Sequence, residues 1–317
     1  MPNPKQTAIV LLVLFFNLGL FSQGVIIKGL VILEDSTPVQ YATIYDGSLK
    51  SGTFSDSTGR FSINMPGNVK ELHISAIGYK NKTITVSQND NLSNFRIVLL
   101  HDTFLLKEVV ISSKIFKTKQ IALGPRKKIK GYGGVCGYSF SHEEGLYIPN
   151  PEQIRGEIKS VEFYLKKEKK SVEKRHLIRL RIYSVNAELY PDKELLLENI
   201  FLQVKKSGSN QMVKIDLEKH NIPMPINGIV IALEALQNTS SPQPNPINAQ
   251  NTEANECSEI STILVDDDTK RYVQWNRINK KKWHHIDFTS QFNQHGRKLT
   301  NLVPYVKLTI NEYAGQK

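Results

Sequence analysis

The chain has 317 residues, 22% of them charged, and a formal net charge of +11. That length accommodates two domains of ordinary size, and a 40% hydrophobic fraction suits small β-sandwiches with one polar face per sheet. The composition excludes a bundle of membrane-spanning helices, and two cysteines without CxxC spacing, Cys136 and Cys257, exclude a disulfide framework and a redox or zinc pair.

Residues 1–23 read as a secretory signal peptide. Lys5 precedes an apolar run from Ala8 to Leu20. That run is shorter than the roughly 20 residues a spanning helix needs. Ser22-Gln23-Gly24 offers small residues for cleavage. An uncleaved anchor is the alternative. Export makes periplasm or outer-membrane association the expected location, and it makes nucleic acid an unexpected partner. In an oxidising compartment Cys136 and Cys257 either pair, closing a long loop, or remain two thiols.

Residues 24–111 read as short strands. Ile26 to Leu33 is followed by a turn ending at Pro38, then by Val39 to Tyr45, with Tyr41, Thr43 and Tyr45 on one face. A hairpin is expected over Gly52 to Asn64. Asp56 caps its turn through the side chain, and Gly59 takes positive φ. Phe61 and Ile63 alternate with polar residues, as do Leu72, Ile74 and Ala76. Lys82 to Val86 and Phe95 to Leu99 complete the set, and strands at this spacing imply a sandwich.

Gly29, Val31, Pro38, Ala42, Ile44, Gly52, Thr53, Asp56, Gly59, Phe61, Ile63, Ile77, Gly78 and Tyr79 carry a resemblance to the carboxypeptidase-regulatory-like domain, a transthyretin-like β-sandwich. The resemblance implies an exported, Bacteroidetes-type protein, since this domain stands ahead of outer-membrane receptors there. Leu106 to Ile111 is similar to the segment that follows it in those receptors. The remaining chain is too short for a plug and a transporter barrel, so the receptor activity is not implied. The resemblance brings no zinc ligands.

Residues 112–130 read as a basic linker. From Val109 to Gly131 there are seven Lys or Arg and no acid. Arg126, Lys127, Lys128 and Lys130 are its candidates for an anionic membrane surface. Lys280-Lys281-Lys282 is another basic run.

Residues 131–317 are predicted to form a second, larger, jelly-roll-like β-sandwich, similar to the galactose-binding-like jelly rolls in its strings R-L-R-I-Y, M-V-K-I-D-L and V-I-A-L-E-A-L. Gly131 to Gly134 is expected as a loop. In Leu177 to Val185, Arg179 and Arg181 alternate with Ile178, Leu180 and Ile182, which makes one face cationic. Residues 237–259, rich in Asn, Ser and Pro, read as a mobile loop.

Catalytic patterns are missing. No histidine opens an HExxH string. Ser139 lacks a nucleophile elbow, and Ser171 to Lys174 matches SxxK without its companion motifs. Asp266-Asp267-Asp268 lacks the staggered oxygens of a calcium loop, and His285 with Asp287 reads as a strand pair. No metal and no cofactor are expected.

Tyr272, Trp275 and Trp283 are the candidate ligand-binding residues, since aromatic faces stack on sugar rings; a buried aromatic cluster is the alternative. The expected function is a non-enzymatic envelope binding or assembly protein that recognises a protein, glycan or peptide. A hydrolase with an unrecognised carboxylate pair is the rival.

Overall fold

The computed structural model describes residues 24–49, 51–67, 70–87, 92–102, 119–125, 129–136, 141–167, 177–202, 210–236, 257–267, 269–286, 289 and 300–313. Residues 1–23, the linker residues 112–118 and 126–128, and loop residues 237–256 lie outside them. The described chain is all-β apart from isolated turns such as the 3-10 turn Glu218–His220.

The first sandwich runs β1 (Val25–Ile32), β2 (Thr43–Asp46), β3 (Gly52–Phe54), β4 (Arg60–Met65), β5 (Glu71–Ser75), β6 (Lys82–Thr85) and β7 (Phe95–Val98). One sheet has the order β4-β1-β7, with β7 parallel to β1; the other has the order β3-β2-β5-β6. The alternation in Arg60–Met65 is the cause. Phe61, Ile63 and Met65 are buried between the sheets and the intervening side chains are exposed. They join Ile27, Val31, Ile44, Leu72, Ile74 and Ile97 in one core.

The hairpin expected over Gly52 to Asn64 is corrected. β3 pairs with β2 and β4 pairs with β1, so the Asp56–Gly59 turn is an arch between sheets. Asp56 Oδ1 accepts from Thr58 N, Thr58 Oγ1 and Arg60 N at 2.8, 2.7 and 3.0 Å. Gly59 has φ +78°, and a Cβ there would stand 2.5 Å from the Val31 carbonyl oxygen.

The second sandwich comprises β8 (Lys119–Leu123), β9 (Ile129–Cys136), β10 (Ser141–Ile148), β11 (Gly156–Lys167), β12 (Leu177–Val185), β13 (Pro191–Glu194), β14 (Ile200–Leu202), β15 (Asn210–Asp216), β16 (Ile229–Leu236), β17 (Cys257–Asp266), β18 (Val273–Ile278), β19 (His284–Ile286), β20 (Leu302–Pro304) and β21 (Val306–Glu312). Two seven-stranded sheets result, one ordered β13-β12-β16-β10-β18-β19 with β14 on β12, the other β20-β17-β11-β21-β8 with β15 on β11 and β9 on β17. The chain crosses between the sheets at most connections, the habit of a jelly roll. Ile178, Leu180 and Ile182 of β12 meet Val161, Phe163 and Leu165 of β11 in the core between them.

Three stretches expected as connections are strands. β8 lies within the expected linker, because Ile121 and Leu123 pack against the core of the second sandwich and the strand pairs with β21. Gly131 to Gly134 belongs to β9, held by its ladder with β17 despite low strand propensity. Residues 257–259 of the expected loop open β17, and Cys257 stands opposite Cys136 in that ladder.

The sandwiches stack sheet on sheet. β2 and β3 turn Tyr45 and Phe54 outward onto Leu236 and Phe201 of the second sandwich. Ile77, in the loop after β5, is buried in the core of the second sandwich. Burial of such a side chain contributes about 1.5–3 kcal/mol. Gly78, with φ +85°, lies against the loop after β13; a Cβ there would stand 2.6 Å from the Leu197 carbonyl oxygen.

Candidate functional site

Strand register assembles the site. Arg179 of β12 stands opposite Glu234 of β16, Glu234 opposite Glu143 of β10, and Glu143 opposite Arg277 of β18. One row across four strands therefore reads cation, anion, anion, cation. It lies on the outer face of its sheet, since the alternate positions Ile178, Leu180, Leu233 and Leu146 fill the core. Glu143 and Glu234 are fully buried, and Arg179 is 1% exposed.

Moving such charges from water costs several kcal/mol each unless every polar atom is matched. Here the matching is dense. Glu234 accepts from Arg179 Nε and Nη2 at 2.9 and 2.6 Å, Arg181 Nη1 at 3.1 Å, Ser141 Oγ at 2.7 Å and Lys280 Nζ at 2.6 Å. Glu143 accepts from Arg277 Nη2, Lys280 Nζ and the Tyr183 hydroxyl at 2.7, 2.7 and 2.6 Å. Glu194 of β13 binds Arg181 Nε at 2.5 Å. Arg179 Nη1 also donates to the Tyr41 carbonyl oxygen at 3.1 Å, which ties the network to the first sandwich. Tyr41 is itself left-handed, with φ 56°.

The Lys280 position follows from its turn. Asn279 and Lys280 have φ 51° and 57°, and Lys281 N bonds the Ile278 carbonyl oxygen at 3.0 Å. Two successive left-handed residues reverse the chain tightly after β18. Lys280, the first residue of the basic run Lys280-Lys281-Lys282, is buried in the network, while Lys281 and Lys282 are exposed.

Burial raises the Glu143 carboxyl, but Arg277 and Lys280 outweigh it and hold the group down to about 2. Burial likewise raises Glu234, and Arg179, Lys280 and Arg181 hold it well below the usual carboxylate range. Burial lowers the Lys280 ammonium, and the two glutamates offset part of that effect. Glu144, on the opposite face of β10 with His142 Nε2 at 3.8 Å, is pushed up to about 8 by desolvation.

A cavity of about 320 Å³ opens beside this network at the junction of the sandwiches. Tyr45, Ser75 to Tyr79, Asn81 and Asp102 line one wall; Arg181, Tyr183, Asp192, Glu194, Leu196, Arg277 and Lys280 line the other.

The candidate aromatics separate. Trp275 (5% exposed) and Trp283 share a cluster with Tyr147 and Tyr183, on the face that carries the charge row. The Trp283 ring lies 4.4 Å from the Arg277 guanidinium carbon, a cation–π contact. The exposed Tyr190 ring sits 4.6 Å from that of Trp275. Tyr272 precedes β18 and packs toward the inter-sheet core. Asp266 Oδ1 accepts from Thr300 N and Asn301 N, and Asp267 Oδ2 accepts from Thr269 Oγ1. Asp268, Asp287 and the basic residues Arg126, Lys127 and Lys128 lie outside the described residues, and only the backbone of Lys130 is placed, in β9. Among the described residues no group of three or more His, Cys, Asp or Glu is placed to hold a metal, and no helix is long and apolar enough to cross a membrane.

Glu143 and Arg277 escaped the sequence reading. Their strings S-H-E-E-G-L and N-R-I-N-K are too polar to look like strands that place charge inside a protein. The Arg179 and Arg181 alternation was the available signal. Its cations are matched by carboxylates from other strands, so the face is a paired network.

Residues 27–111 match one family over their whole length. They are a CarboxypepD_reg-like domain. By its family this domain is regulatory, not catalytic. No curated protein matches the chain. Among solved structures, the chain is similar to the major pilin subunit BcpA of Bacillus cereus at 9% identity and a TM-score of 0.17, over 83% of this chain and 67% of that one. The T13 infectious bursal disease virus particle gives 10% identity and a TM-score of 0.21, over 91% of this chain and 58% of that one. The structure of the Gx strain of that virus gives 9% and 0.16, over 91% and 60%. The chain thus spans less than two thirds of either viral chain. Superpositions this poor carry no argument about the second sandwich, whereas the CarboxypepD_reg-like domain stands on its sequence match.

Proposed function

We propose that this chain is a non-enzymatic binding or assembly protein of the cell envelope, exported to the periplasm or outer membrane. The CarboxypepD_reg-like domain is the docking module, and the second sandwich recognises an envelope protein, glycan or peptide. The observation that carries this reading is the row Arg179–Glu234–Glu143–Arg277. Its carboxylates are enclosed by cations and tied through Arg179 to the first sandwich. Buried charge used in this way fixes two modules in one orientation.

The row supplies no acid–base pair for the rival hydrolase, whose remaining candidates are the cavity-lining carboxyls Asp102, Asp192 and Glu194. Glycoside hydrolysis by a carboxyl pair needs one member protonated, to act as general acid. Glu143 and Glu234 are both held ionised by their neighbours. Glu144 is the carboxyl raised toward neutrality, and it faces the other side of the sheet from the cavity.

The test incubates the protein purified from the envelope with envelope polysaccharide and peptide fractions. Saturable retention with unchanged fragment sizes is expected. Cleavage that Asp102→Asn, Asp192→Asn or Glu194→Gln abolishes would overturn the reading.

A further inference from the structure

Two arginines at the junction cavity are held in place with part of each guanidinium unused. Arg277 turns Nε and Nη2 to Glu143, at 3.2 and 2.7 Å, and lies beside the Trp283 and Tyr183 rings. Its Nη1 has no hydrogen-bond partner among the described residues. Arg181 gives Nε to Glu194 and Nη1 to Glu234, and its Nη2 is likewise without a partner there. Both side chains line the cavity. Within the buried network Arg179, Arg181, Arg277 and Lys280 face only Glu143, Glu194 and Glu234. One positive charge is left over on this wall, whereas Asp102 and Asp192 make the facing wall acidic, so an anionic group seats at Arg181 and Arg277 and not across the cavity.

The opposite wall is of another kind. Asn81 and Asp102 of the first sandwich, with Asp192 at the exposed rim of the second, offer acceptors suited to hydroxyl groups, and Tyr45 and Tyr79 offer ring faces. The cations are already immobilised, so a carboxylate entering the cavity incurs little ordering cost.

We propose that the cavity between the sandwiches binds a uronic-acid residue of an acidic glycan. Arg181 and Arg277 receive its carboxylate, and Asp102, Asp192 and Asn81 receive its hydroxyls. This rests on the reading of the chain as a binding protein and names the ligand class of its junction site. A glycan held there touches both modules, so it binds only while they are docked.

Calorimetry on the full chain, with D-galacturonate, D-galactose, acetate and L-alanine as probes, tests the assignment. Galacturonate should bind at least tenfold more tightly than galactose or acetate and quench the Trp283 fluorescence. Arg181→Lys, which keeps the charge and loses the fork, should weaken it about tenfold. Asp192→Asn at the rim should weaken it severalfold while leaving the unfolding midpoint unchanged, which separates lost binding from lost folding. Equal affinity for galacturonate and galactose, equal affinity for acetate, tighter binding of alanine, or no binding of galacturonate would each overturn the proposal. If galacturonate fails while an envelope partner is still captured, only the ligand class falls. Turnover of a galacturonate polymer would instead overturn the binding reading itself.

Discussion

Glu143 and Glu234 stand directly opposite each other on neighbouring antiparallel strands, and Lys280 Nζ bridges them at 2.7 and 2.6 Å. Like charges in that position repel. The bridge, flanked by Arg277 and Arg179, converts the repulsion into a pairing that spans four strands.

Removing the bridge should therefore be costly. Lys280→Met leaves two buried carboxylates with one fewer cation, and breaking a buried pair from one side costs about 3–5 kcal/mol. Denaturant titration at pH 7 measures this. The variant should also take up a proton at a pH where the native protein does not.

Acid should weaken the native protein through the same row. The folded pKa of Glu143 is depressed from 4.5 to about 2, and that of Glu234 is also depressed. Their contribution is thus complete above about pH 4.5 and lost as pH falls toward 2. Glu144 has the opposite sign. Its folded pKa is raised to about 8, so its contribution is present below about pH 4.5 and lost as pH rises to 8. Glu144→Gln should flatten the alkaline limb and raise the melting midpoint at pH 8.5 by several degrees, at about 2–4 °C per kcal/mol. An unchanged alkaline limb would show that Glu144 is not the group responsible.

Gly78 should matter to the junction more than to its own sandwich. Alanine there meets the Leu197 carbonyl oxygen in a backbone conformation L-residues avoid. Gly78→Ala should increase hydrogen exchange at Tyr41 and Leu197 while the strands of the first sandwich keep their protection.

The two tryptophans should separate stability from binding. Trp275 is nearly buried, so Trp275→Ala should destabilise by about 3–5 kcal/mol. Trp283 is partly exposed over Arg277, so Trp283→Ala should cost little stability and increase the motion of Arg277. Paired denaturation curves and guanidinium relaxation by NMR read both effects.

Much of this architecture was legible in the sequence, because alternation such as F-S-I-N-M dictates which face is buried. What escaped was pairing between distant strands. β3 and β4 share a turn but not a sheet, and nothing local in G-T-F or R-F-S-I-N-M says so. Glycine-rich β9 owes its strand form to β17. The site escaped for the same reason. Arg179, Glu234, Glu143 and Arg277 lie on four strands from distant parts of the chain, and only register aligns them. The aromatic candidates were visible by type, yet parity around β18 put Trp275 on the charged face and Tyr272 toward the core.

The most direct test of the central claim is to cross-link the tagged protein in its own cell envelope and identify what co-purifies, from wild type and from the Gly78→Ala variant. A reproducible envelope partner or glycan, lost or much reduced in the variant, is the predicted result. No captured partner, together with breakdown of an envelope polymer by the protein, would contradict it.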